Sequence, residues 1–128
     1  FDEGYTQLLA ERYFNENVGE LCHYQVLILK KLENICGKDY LEQEYFKGNL
    51  MNAINIQLLK YGSEELVLKF SDYNKKIFET EEYIDENNLN YQDYYEYIED
   101  LIKNINTIIN SLYEEKLNQN KEFDNRIK

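Results

Sequence analysis

Proline is absent from all 128 residues, and glycine occurs only five times. Proline breaks helices and glycine commonly ends them, so a chain poor in both has few places to turn. Apolar residues recur along it at steps of three and four, the period of a helix and not the alternation of a strand. An all-α fold is the expectation, and no segment competes as a strand.

The glycines carry most of the segmentation. Before Gly37, the residues Val18, Leu21, Gln25, Ile28, Leu32 and Ile35 form one stripe, which predicts a helix over about 10–36. Residues 1–9 read as its first turns or as a separate short helix, because the stripe loses phase across Tyr13 to Asn17. Gly37 ends that helix, and Asp39 with Glu42 three residues on has the form of a capping box. A second helix follows over about 39–61, with Leu41, Tyr45, Phe46, Leu50, Ala53, Ile54, Leu58 and Tyr61 on its apolar face.

Gly62 closes the second helix, and Ser63 caps a third over about 63–84, with Glu64 and Glu65 at the positive end of its dipole. The polar run Asp85 to Asn88 is a turn. Leu89 and Asn90 then supply a staple position and an N-cap for a fourth helix over about 90–117. Its stripe, Tyr94, Ile98, Leu101, Ile105, Ile108 and Leu112, is the most regular in the chain, and residues 118–128 fray or extend it. Four amphipathic helices with short connections predict an antiparallel four-helix, up-down-up-down bundle, one helical domain over residues 1–128.

With 43% apolar residues the chain has material for one core. No run approaches the ~18 apolar residues that cross a bilayer, so a transmembrane span is excluded in this segment, as are fibrous and wholly disordered readings. The chain opens on Phe1 and not Met, which leads us to expect a processed or excised product whose upstream anchor, if it has one, lies outside the sequence. Cys22 and Cys36 stand two heptads apart on one helical face, roughly 21 Å at the helical rise, too far to bridge. Buried free thiols in a reducing, cytoplasmic setting are the expectation.

Catalytic and metal signatures are fragmentary. Glu20-Leu21-Cys22-His23 has the carboxylate-to-imidazole spacing of a di-iron bundle, but His23 is the sole histidine and a second such element is missing. Asp85, Asn87, Asp93 and Glu96 align with positions of a calcium loop, whereas Leu89 stands where an oxygen ligand is needed. Adjacent Cys22 and His23 point about 100° apart, which spoils a nucleophile and base pair. Arg12 and Arg126 are the only arginines, so there is no Arg-rich cleft for phosphate. The expectation is no catalytic residue, no metal and no cofactor.

Charge is where the sequence departs from background. The net charge is −11, and from Glu79 to Asp100 there are nine acids and no Lys or Arg. Such a chain repels phosphate backbones, which argues against direct nucleic-acid binding. Tyr91, Tyr94, Tyr95 and Tyr97 are interleaved with the acids, and Tyr97 falls off the centre of the apolar stripe. Carboxylates edged by an exposed aromatic suit docking on a basic protein partner, with Asp85, Glu86, Asp93, Glu96, Tyr97 and Asp100 as the expected partner site. The alternative is an acidic nucleic-acid mimic that inhibits a DNA- or RNA-binding enzyme. The wide stripe of the last helix, including Tyr95, Ile102 and Ile109, also suggests a homodimer through that helix.

The segment Leu58-Leu59-Lys60-Tyr61-Gly62-Ser63-Glu64-Glu65-Leu66-Val67 resembles an interhelical Tyr-Gly-Ser-Glu-Glu junction of uncharacterised bacterial helical proteins, some with a membrane segment upstream. The resemblance spans about ten residues. It implies a bacterial or phage-related helical domain near a membrane and assigns no catalytic residue.

Overall fold

The computed structural model describes residues 2–14 and 23–127, and side chains over 4–14 and 25–126. Among them helix is the only regular structure, with six α-helices: α1 (Asp2–Phe14), α2 (His23–Cys36), α3 (Lys38–Phe46), α4 (Leu50–Leu58), α5 (Glu64–Glu86) and α6 (Tyr95–Ile127), the last preceded by a 3-10 turn over Tyr91–Tyr94. No helix among the described residues is long and apolar enough to cross a membrane.

Two of the four expected helices are each divided in two. Residues 10–14 belong to α1, which lies beside α2 and does not continue into it. Gly4 packs against the Gln25 side chain, Lys30 pairs with Glu11 at 3.7 Å, and Arg12 pairs with Glu33, so the two helices run in the same sense. Val18, Glu20, Leu21 and Cys22 lie outside the described residues.

The expected helix over 39–61 is broken at Gly48. This residue takes a φ of +72°, its N–H donates to the Tyr45 carbonyl at 3.0 Å, and the Asn49 N–H reaches back to Glu44 at 2.9 Å. That paired pattern closes a helix on a left-handed residue, the conformation glycine tolerates best. The apolar spacing runs on from Leu41 to Leu50 across the break, which is why periodicity alone hides it. Phe46, expected on the apolar face, is 76% exposed beside the turn. The Asp39–Glu42 capping box is likewise not formed: α3 begins one residue earlier, with Gly37 at its N-cap, and Glu42 is held by Arg12 and Tyr13.

The extra turn changes the topology. Lys116 on α6 donates to the carbonyls of Asn34 (2.7 Å) and Ile35 (3.0 Å), and Gln119 donates to that of Lys60 (3.2 Å). The carbonyl ends of α2 and α4 therefore meet one turn of α6, where a cation and an amide satisfy groups that a helix end leaves without partners. Gly62 lies against Leu112 and Tyr83 against Tyr94, so α5 runs opposite to α6. The helices from α2 to α6 thus alternate in five passes, with α2, α4 and α6 pointing to one end. An up-down-up-down order of four would have set the first and last helices antiparallel.

The core lies where α2 faces α1, α3, α4 and α6, and between α5 and α6. Leu29, Leu32, Leu41, Leu50, Ile54, Leu58, Phe70, Ile77, Ile98 and Ile105 are buried there, each worth about 1.5–3 kcal/mol of transfer from water. At the junction of α4 and α5, Ser63 accepts from the Leu66 N–H at 3.1 Å. A Cβ on Gly62 would strike Leu112 and Leu66, so this glycine serves close approach of α6.

Candidate functional site

The acidic window spans the end of α5, the turn and the start of α6. Helix α5 closes on Asn88, at φ +51°, with the Leu89 N–H returning to the Ile84 carbonyl at 3.0 Å. Asn tolerates this left-handed position better than most residues. Asn90 is the next N-cap, accepting from the Gln92 N–H at 3.0 Å, and it starts the 3-10 turn that leads into α6. The positions that align with a calcium loop are therefore spent on a helix end and a helix start. Among the described residues no group of three or more Asp, Glu, His or Cys side chains could hold a metal ion.

The six expected site residues are all exposed. Asp85 and Glu86 sit in the last turn of α5, Asp93 in the 3-10 turn, and Glu96, Tyr97 and Asp100 on the first turns of α6. Tyr97, 50% exposed, lines an open groove of about 390 Å³ with Tyr94 and with Lys76, Glu79, Thr80 and Tyr83 of α5. Sequence reasoning missed the α5 wall. Its four residues fall at i, i+3, i+4 and i+7, one helical face, but nothing local to α5 says that this face meets Tyr97.

The groove is aromatic with acidic edges. Tyr83, 53% exposed, meets the Tyr94 ring edge-on at 6.3 Å between centroids. The acid–Tyr–acid spacing Glu79, Tyr83, Glu86 on α5 recurs as Asp93, Tyr97, Asp100 leading into α6, four residues and then three in each case. Lys76 is engaged by its own helix, 3.5 Å from Asp72 and 5.9 Å from the centre of the Tyr73 ring. Nearby, burial and then the charge of Glu81 push the Tyr91 hydroxyl up from its ordinary value, so it stays protonated and neutral.

The apolar surplus expected on α6 is mostly covered by the chain itself. Ile109 is buried and Ile102 packs against the core, which leaves Tyr95 exposed.

A second cluster of charge joins α1, α2 and α3. Arg12 pairs with Glu33 and with Glu42 (2.7 Å), Tyr5 donates to Glu33 at 3.0 Å, Tyr13 donates to Glu42 at 2.8 Å, and the Thr6 and Tyr45 hydroxyls bond each other. Hydrogen bonding to Glu33 holds the guanidinium pKa up, while burial and the Glu33 charge raise that of Tyr5. Its ionic groups are occupied with one another, so the cluster reads as a fastening for α1. Cys36 is a buried thiol, pushed up to about 12 by burial, far from the thiolate form a nucleophile needs.

Comparison of the chain with known protein families, with curated proteins and with solved structures finds no match.

Proposed function

We propose that this domain is a non-enzymatic interaction or regulatory module that docks on a basic protein surface. Asp85, Glu86, Asp93, Glu96 and Asp100 supply the charge and Tyr97 the anchor. The observation that carries the reading is the exposure of all six residues around one turn, in a window of nine acids without a single Lys or Arg. Carboxylates of this kind speed encounter with a cationic partner, and a half-exposed tyrosine among them gives the complex area to bury. The buried thiol of Cys36 fits a reducing, cytoplasmic setting.

The test is a triple neutralisation, Asp93→Asn with Glu96→Gln and Asp100→Asn, against a partner captured by the wild-type domain. Association slows and loses salt sensitivity while the fold is retained, because rim charges act mainly on the on-rate. An unchanged association rate at low salt leaves the acidic face as a solubility feature and sinks the proposal.

The repeated acid spacing on α5 and α6 also favours a second reading, an acidic mimic that occupies the nucleic-acid groove of a DNA- or RNA-binding enzyme. Duplex DNA then competes with the domain for the captured partner, and under the first reading it does not.

A further inference from the structure

We propose that the groove between α5 and the start of α6 is an arginine-recognition site, taking the guanidinium of a basic protein segment against the rings of Tyr83 and Tyr97 and the carboxylate of Glu79. The proposal rests on the docking reading above and assigns the side chain that is read. Three observations carry it.

The first is shape. An open groove of about 390 Å³ is lined by two half-exposed tyrosines, one on each helix, together with Tyr94, which packs against the core. The Tyr83–Tyr94 edge contact holds one wall in place. A flat cation that stacks on aromatic faces suits such a groove better than a compact ammonium does.

Charge complementarity is the second. Glu79 lines the groove, and its pairing with Lys75 is long at 3.9 Å and exposed, so an incoming guanidinium displaces it at little cost. Glu86 and Asp93 flank the two tyrosines in sequence toward the turn, and Asp100 follows Tyr97 by one turn of α6. In sequence, both rows set an acid four residues before a tyrosine and another three after it. These exposed carboxylates suit a segment that carries further cations next to the seated arginine.

The third is that an aromatic face and a carboxylate of α5 already hold a cation at the groove's edge. Lys76 lies over the Tyr73 ring at 5.9 Å and beside Asp72 at 3.5 Å, a cation held by an aromatic face and a carboxylate together. The engagement is with the turn that precedes Lys76, whereas Glu79 stands on the turn that follows it.

Hexa-arginine and hexa-lysine peptides of equal charge, titrated into the full chain and followed by fluorescence anisotropy of a labelled peptide, test the assignment. The wild-type chain is expected to bind hexa-arginine about fivefold more tightly than hexa-lysine at the same salt. Tyr83→Leu with Tyr97→Leu removes that preference and leaves lysine binding in place, whereas Tyr83→Phe with Tyr97→Phe keeps it because the rings remain. Circular dichroism of each variant confirms that the helices persist. Equal binding of the two peptides by the wild type, or a preference that survives the leucine pair, overturns the arginine site while docking by charge still stands. Failure of both peptides to bind at low salt overturns the site and the docking reading together.

Discussion

Arg12 and Glu33 face each other fork to fork, Nη2 to Oε1 at 2.5 Å and Nη1 to Oε2 at 3.1 Å. Glu33 is 8% exposed, the buried charged residue among those described, and α1 reaches it from the side. Removing one member of such a pair strands a charge away from water, which costs more than the pair itself contributes. Arg12→Leu is expected to destabilise the domain by about 3–5 kcal/mol. Adding Glu33→Gln, which still accepts from Tyr5, recovers a large part. Urea unfolding of both variants checks this, and a double variant no more stable than the single one contradicts it.

Gly48→Ala isolates a backbone effect, since nothing lies within 4 Å of the position a Cβ would take. The expected loss is about 1–2 kcal/mol, the cost of a left-handed residue with a side chain. Gly48→Asn should lose less, because Asn accepts that conformation, as Asn88 does at the end of α5. Denaturation midpoints with an unchanged slope are the measurement; equal losses for Ala and Asn contradict the explanation.

Cys36 gives a pH dependence with a definite sign. Its pKa is raised from 9.0 to about 12 in the folded chain, so the folded state keeps a proton that the unfolded state releases. The associated stability is fully present below pH ~9 and is lost as pH rises toward 12. In a Cys22→Ser background, Ellman's reagent at pH 8 is expected to leave Cys36 unmodified until denaturant is added. Rapid labelling of the native protein contradicts the burial.

Like-charge repulsion in the acidic window predicts a salt effect on the domain alone. The Asp93→Asn, Glu96→Gln, Asp100→Asn chain should melt about 1–2 °C above wild type at low ionic strength, and the difference should close by about 1 M salt as screening sets in. Thermal melts at two salt concentrations decide it. A gap that persists at high salt would mean that the introduced amides stabilise the fold by uncharged contacts and not by relief of repulsion.

What sequence makes legible here is what neighbours along a helix decide. Ser63 as a cap, Asn90 as a helix start and the buried run Ile98, Leu101, Ile105, Ile108 and Leu112 all depend on residues within a few positions. Gly48 was hidden because the apolar spacing from Leu41 to Leu50 stays in phase across it. The Arg12 cluster was hidden for another reason: its partners are 21 and 30 residues away, and no local pattern pairs them. Tyr97 could be picked out as an off-stripe aromatic, but its partners Glu79, Thr80 and Tyr83 come from how α5 lies against α6.

The clasp of Lys116 on the carbonyls of Asn34 and Ile35 has a consequence for how the domain is made. These groups are 82 and 81 residues apart, and a ribosome adding about 5–20 residues per second separates their appearance by roughly 4–16 s. Throughout that interval the nascent α2 has its carbonyl end uncapped and its apolar face without α6 to cover it. Final closure belongs to the moment when residues 112–119 clear the exit tunnel, so a chaperone that shields α2 and α4 during translation would act before α6 arrives and release them to it.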